Sequence, residues 1–336
     1  MRNTIILDFK PLRKWDFLDG VRDATGREWD TAYCDANGMF HTKRENIERM
    51  RRYFAYSFQI FRRRRDYHTI IAWQQFFGIL PAYFGAIFHA EMPKIYLIAF
   101  IYREKHGIAG KWYRHMIRSA FLHGGIQKAF VFSSNEPERY AKDLDLPKSY
   151  FIPETVGMHD RAADFVRTDD GMYIAAGRSN RDYRWLQSAW SDTGRVRLLI
   201  ISDREKEKTA DNICVRTDIQ GDALFARIAS CHAVIIPLED TGISSGQLVA
   251  IQAMMMGKPV IATENAGIRE YVEDGVTGFV IPKTSNALQE ALRALSKKSV
   301  YREMSRQARL HYENRYSQYE MGIRIGKQIR KWEEQA

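Results

Sequence analysis

One stretch limits what this chain can fold into more than any other: residues 233–282, AVIIPLEDTGISSGQLVAIQAMMMGKPVIATENAGIREYVEDGVTGFVIP. Its two short apolar runs, 233–236 and 259–262, have the length and β-branching of strands buried on both faces. Between them Leu248, Ile251, Met254 and Met255 recur at helical spacing, and Gly257 ends the helix. A strand, loop, helix and parallel strand in that order build a doubly wound sheet. The loop 241–246 is rich in small residues and offers Ser244 or Ser245 as helix N-cap. A helix start of this kind directs backbone N–H groups and the positive end of the dipole at one point, which suits a phosphate. A second polar turn, 264–267, follows the next strand at the same carboxyl edge, where open α/β sheets hold their ligands.

The 336 residues are enough for two domains, and 45% apolar residues are enough to pack both. The formal net charge of +10 favours an anionic partner, whether nucleic acid, an anionic membrane surface or a phosphorylated small molecule. Nucleic acid is the poorest fit of the three, because no readout motif is present and the charge gathers on one helix. The three cysteines, Cys34, Cys214 and Cys231, are odd in number and widely spaced. They suit neither a disulfide framework nor a metal site, and point to a reducing compartment, with a cytoplasmic location expected. The first apolar run, 4–7, is too short for a leader and reads as a strand. Residues 69–88 carry no formal charge over about a membrane's width. Gln74, Gln75, Gly78, Pro81 and Gly85 interrupt them, so a strand (69–73) and a buried helix (78–88) are expected instead of a span.

Strands and helices alternate through the rest. Strands are expected at 4–7, 28–34, 94–101, 129–132 and 150–153, with helices at 15–24, 112–122 and 137–144. The helix expected over 42–65 carries Ile47, Met50, Phe54, Phe58 and Phe61 on one stripe, flanked by Lys43, Arg44, Arg49, Arg51, Arg52 and Arg62–Arg65. That stripe is either a core-facing seam under a solvated basic face or a contact for anionic lipid. A polar, aperiodic linker at 155–170 separates the halves. The second half expects strands at 172–176, 196–201 and 213–215, helices at 183–190, 223–230 and 286–295, and a helical tail from Val300. Domains are therefore set at 1–157 and 158–315, with a C-terminal helix over 316–336 returning to the first domain.

Gly177, Arg178 and Arg181 follow the first strand of the second half, where guanidinium groups can clamp a diphosphate. Together with 233–282 they resemble the donor-binding signature of the family-4-type retaining glycosyltransferases of GT-B architecture, two Rossmann-like domains facing a cleft. Pro237, Ala253-Met254, Gly257, 259–262, Gly267, Glu270, Asp274-Gly275 and Thr277-Gly278 fill that pattern. Residues 130–133 and 151–157 resemble the end of the family's first domain, and before Ala129 the likeness is thin.

The resemblance implies transfer of a sugar from a nucleoside diphosphate sugar, of UDP type, with retention and with neither cofactor nor metal. It places Arg178, Arg181 and Glu270 in catalysis. Gly177, Ser244, Ser245, Gly246, Gln247, Leu248 and Gln252 would hold the donor. The acceptor would be a glycan or lipid-linked glycan bound by the first domain, as in bacterial surface polysaccharide assembly, at the inner face of the plasma membrane. Two departures stand out: Ser244 and Gln252 occupy the positions of the family's paired glutamates, and Phe100 stands near its first-domain histidine. Glu239 or Asp240 could supply the missing carboxylate. A non-catalytic GT-B-like binding or scaffold subunit is the alternative, with a nucleotide-sugar epimerase behind it. Tyr102–His106 form a polar group that could face an acceptor. His68, His106 and His123 read as structural or solvated, and Asp143 and Asp145 as surface.

Overall fold

The computed structural model describes residues 1–35, 43–203, 210–240 and 245–335, and divides into two compact units, Met1–Thr155 with Met321–Ala336 and Val156–Glu320. In the first, β1 (Arg2–Leu7), β2 (Trp29–Tyr33), β3 (Tyr67–Ala72), β4 (Lys94–Leu97), β5 (Ile126–Val131) and β6 (Phe151–Pro153) pair in parallel in the order β2-β1-β3-β4-β5-β6. The helices α1 (Asp16–Thr25), α2 (Lys43–Arg62), α3 (Phe76–Ile87), α4 (Gly107–His123) and α5 (Glu136–Leu144) alternate with these strands. Ile5, Ile6 and Leu7 have no exposed surface, as expected for a strand covered by helices on both faces.

The second unit repeats the plan. Strands β7 (Met172–Ala176), β8 (Arg197–Ile201), β9 (Ile213–Arg216), β10 (Ala233–Ile236), β11 (Val260–Thr263) and β12 (Gly278–Ile281) take the order β12-β11-β10-β7-β8-β9, again all parallel. Around them lie α6 (Tyr183–Trp190), α7 (Asp222–Ser230), α8 (Gln247–Met255), α9 (Ala266–Arg269), α10 (Ser285–Leu295) and α11 (Lys298–His311). The chain moves outward from β7 through β8 to β9, then returns to the other side of β7 with β10. The switch point therefore falls between the carboxyl ends of β7 and β10. The last helix, α12 (Gln318–Glu334), lies from Met321 onward in the first unit, where Met321, Ile325 and Ile329 pack with Ile5, Leu7 and Phe17. Contact there is backbone-close, since a Cβ on Gly322 would meet the Phe17 carbonyl oxygen at 2.4 Å.

The α/β fold class with two doubly wound sheets is as expected, and four local readings need correction. The strand expected over 94–101 ends at Leu97, because Ala99 turns the backbone into the left-handed region with φ 55°. Helix α4 starts at Gly107, five residues before its expected Trp112 start. Leu248, expected on the core face of α8, is exposed, while Ile251, Met254 and Met255 are buried.

The fourth correction concerns α2, which runs from Lys43 to Arg62; the expected Thr42 start lies outside the described residues. Its core face is Tyr53, Ser57, Ile60 and Phe61. Tyr53 donates to the Asp8 carboxylate at 3.1 Å and meets Phe77 edge-on, with ring centroids 5.0 Å apart. Of the expected stripe only Phe61 is buried. Ile47, Met50, Phe54 and Phe58 face solvent. No helix among the described residues is long and apolar enough to cross a membrane.

Candidate functional site

The site grows from the two loops that leave the switch point. After β7 the backbone enters positive φ at Gly177 (127°) and Asn180 (55°), which folds residues 177–182 back over the strand end. A Cβ at Gly177 would also lie 2.9 Å from Nε and Nη2 of Arg181, so the guanidinium would have to shift. The Arg181 side chain turns under the loop, where Nε donates to the Ala176 carbonyl at 3.2 Å and Nη1 to the Ser179 carbonyl at 2.9 Å. Among the described residues no carboxylate pairs with it. Burial pushes its guanidinium pKa down from the ordinary value, the signature of a cation held in a poorly solvated place.

Asn180 ties the two loops together. Its Nδ2 donates to the Asp240 carbonyl (3.0 Å) and to the Ser245 hydroxyl (2.9 Å), and its Oδ1 accepts from the Asp240 amide at 2.7 Å. Asn265, after β11, donates to the same Asp240 carbonyl at 2.9 Å while its Oδ1 caps α9 through the Gly267 amide. The Ser245 hydroxyl is thus engaged by Asn180. Gly246 takes the N-cap place of α8 with φ 93° and no side-chain cap, which corrects the expected serine cap. Ser244, with the rest of 241–244, lies outside the described residues. The first turn of α8, Gln247 and Leu248, aims its amides out of the helix end at the switch point.

A cavity of about 310 Å³ opens here, lined by Arg178, Asn180, Arg181, Asp182, Arg184 and Glu239. Arg178 stands at its exposed rim, paired with Asp203 at 2.7 Å. Asp182 serves the scaffold: it caps α6 by accepting from the Trp185 amide at 2.9 Å and pairs with Lys283 at 2.5 Å. Burial pushes its carboxyl pKa up, but the Lys283 and Trp185 hydrogen bonds hold it below the ordinary range. With the folded pKa depressed, the stabilisation is present above the unfolded carboxyl value and is lost as pH falls through the folded one. Asp182→Ala is expected to cost about 1 kcal/mol at neutral pH from the lost cap alone. Urea melts in increasingly acidic buffer should show that deficit shrinking.

Further along α8, Gln252 has a buried side-chain oxygen with no hydrogen-bond partner among the described residues. Glu270 lies half-buried at the C-cap of α9, beyond the carboxyl end of β11. Gly177, Arg181, Ser245, Gly246 and the first turn of α8 therefore converge at the switch point, with Arg178 on the rim. Asn180, Asn265 and the Asp182–Lys283 pair are additional to the residues read from the sequence. An asparagine three residues beyond a strand-end glycine was the one available signal, since asparagine tolerates positive φ.

Of the polar group 102–106 only Tyr102 is buried, Arg103–His106 being exposed, and Asp145 lies at the surface as expected. Tyr102 is buried and stacked on Tyr113 at 6.0 Å, with the Lys105 ammonium 4.3 Å from the Tyr113 ring. Asp145 pairs with Arg118, and no cluster among the described residues has the donors for a metal ion. Phe100 is core, edge-on to Phe121 and Tyr140.

Residues 171–298 match the family described as Glycosyl transferases group 1, a segment that contains every element of this site. A stretch of 88 residues, 25% of the chain, is 32% identical to the lipopolysaccharide 1,2-N-acetylglucosaminetransferase of Salmonella typhimurium and spans 23% of that relative. Among solved structures, the sucrose-phosphate synthase of Thermosynechococcus elongatus superposes with a TM-score of 0.65 at 15% identity, covering 100% of both chains. Anabaena Alr3699/HepE, solved in complex with UDP, superposes with a TM-score of 0.63 at 13% identity, over 98% of this chain and 100% of that one. At such identities the superpositions establish shared architecture.

Proposed function

We propose that this chain is a glycosyltransferase that moves a sugar from a nucleoside diphosphate sugar, of UDP type, to a glycan or lipid-linked glycan. The observation that carries the reading is Arg181, a cation with no carboxylate partner among the described residues, held at the switch point of a doubly wound sheet in the loop that Asn180 ties to Ser245, just before α8. Breaking the bond from sugar to diphosphate leaves negative charge on the departing phosphate. The Arg181 guanidinium and the amides of Gln247 and Leu248 would meet that charge without reorganising, and removing one preorganised donor of this kind costs about 10²–10³ in rate. Positive charge developing on the sugar needs no protein nucleophile, consistent with retention. Glu270 would lie toward the sugar and Arg178 would close over the diphosphate from the rim. Gln252 would hydrogen-bond the nucleotide ribose diol through its side-chain amide, without charge. The matched segment of a lipopolysaccharide sugar transferase supports a role in surface polysaccharide synthesis.

The first unit would bring the enzyme to its acceptor. Phe54 (55% exposed), Phe58 (41%) and Phe88 (61%) form one apolar surface, joined through Phe84 and Phe61. Arg44 and Arg51 are exposed on the same helix as Phe54 and Phe58, and Arg52, also exposed, pairs with Glu48 at 3.3 Å. An apolar face accompanied by exposed cations fits an anionic bilayer at the inner face of the plasma membrane, each basic residue contributing about 1 kcal/mol.

The test is release of nucleoside diphosphate from a panel of nucleotide sugars in the presence of membrane extract. Turnover with one of them is expected. A non-catalytic binding subunit is the second reading, favoured by the uncharged Gln252 where the resembled family has glutamate. Tight binding of the nucleotide with no turnover across the panel would establish it in place of the enzyme.

A further inference from the structure

A second cavity, about 600 Å³, opens in the first unit at the opposite edge of its sheet, where β3 and β4 begin. Arg64, Arg65, Tyr67, His68, Glu91 and Lys94 line it. Three fixed cations there face one carboxylate. Among the described residues neither Arg65 nor Lys94 has a carboxylate partner, whereas neighbouring Arg63 pairs with Asp66 at 3.2 Å. Arg64 and Lys94 are half-buried and Arg65 is exposed. Arg64 donates to the Phe61 carbonyl at 3.3 Å through one of its N–H groups.

One cavity residue, Arg64, also touches the apolar cluster described above. In a parallel α/β sheet each helix runs against its strands, so the carboxyl ends of α2 and α3 reach the strands' amino edge. The contacts make that join explicit. The Arg64 guanidinium stands 4.9 Å from the Phe61 ring centroid, Phe61 stacks on Phe88 at 5.6 Å, and Phe58 and Phe54 follow along α2 against Phe84. A phosphate bound among Arg64, Arg65 and Lys94 would sit beside aromatic rings able to enter the acyl region. Free phosphate would use only half of that arrangement.

We propose that this cavity is a site for the phosphomonoester headgroup of an anionic lipid. The proposal rests on the membrane reading of α2 and adds a specific ligand to it. A phosphomonoester carries up to two charges and three acceptor oxygens, so it draws more from clustered cations than a singly charged phosphodiester does. Generic surface attraction has no such preference.

Sedimentation with vesicles separates the two. Wild type is expected to bind phosphatidic acid vesicles about tenfold more tightly than phosphatidylglycerol vesicles matched in surface charge. The triple substitution Arg64→Gln, Arg65→Gln, Lys94→Gln should abolish that preference, while phosphatidylglycerol binding weakens but stays measurable. Its nucleoside diphosphate affinity should be unchanged, which reports an intact fold. The double substitution Arg44→Gln, Arg51→Gln, in the first half of α2, should weaken both vesicle types equally. A preference that survives the triple substitution, or is missing in wild type, overturns the site and leaves the membrane reading standing. Absence of binding to either vesicle overturns both. Equal affinity for soluble glycerol phosphate and for phosphatidic acid vesicles would assign the cavity to a free phosphate and overturn the lipid proposal.

Discussion

Replacing Arg181 with alanine should lower affinity for nucleoside diphosphate by about a hundredfold and turnover by at least as much. The effect is large because the side chain is held by the Ala176 and Ser179 carbonyls and meets no compensating carboxylate. In a poorly solvated place a phosphate gains more from such a cation than it would from one in water. Arg181→Lys should not restore function, since an ammonium cannot satisfy two carbonyls through the fixed fork that also presents Nη2. Gly177→Ala should act through the same group, because its Cβ would press on Nε and Nη2 at 2.9 Å from a backbone at φ 127°. Arg178→Ala should cost only a few-fold, roughly what a solvated ion pair is worth, because its side chain is 71% exposed and already engaged by Asp203. Calorimetric titration of UDP into the four variants checks the ranking. Equal losses at Arg178 and Arg181 would reject the assignment of the main phosphate contact to Arg181.

The second large effect belongs to the surface of α2. Full burial of a phenylalanine is worth about 1.5–3 kcal/mol, so removing three half-engaged rings forfeits roughly 3 kcal/mol of bilayer affinity. The triple variant Phe54→Ser, Phe58→Ser, Phe88→Ser should therefore bind anionic vesicles about a hundredfold more weakly. Its thermal stability should change little, because these rings already face solvent. Charge reversal across Arg62–Arg65 should weaken binding as well, with the deficit growing at low salt as screening falls. Unchanged vesicle affinity in both variants would return the stripe to an ordinary solvated face.

The strand pattern was legible because parallel strands buried on both faces read as short β-branched runs, and 233–236 and 259–262 are such runs. Helix α2 was harder for a definite reason. It carries two overlapping apolar faces at helical spacing, Ile47-Met50-Phe54-Phe58 and Tyr53-Ile60-Phe61, and periodicity cannot say which meets the core. The choice is made by Asp8 and Phe77, which receive Tyr53 from elsewhere in the chain. The site divides in the same way. Gly177 and Arg181 could be read from local sequence, as could the small residues before α8. Asn180 could not, because its three hydrogen bonds are made with Asp240 and Ser245, beyond three further strands. The Ser245 hydroxyl, a plausible cap by position, is taken by that same asparagine.

Hydrogen exchange of the backbone amides, with and without saturating UDP, tests most directly whether the donor lies where β7 and β10 part. Protection is expected at residues 177–182 and at 245–249, the loop over Arg181 and the first turn of α8, with α10 and the first unit's sheet unaffected. UDP bound with no change in those two segments, or with protection confined to another edge of either sheet, would contradict the site described above.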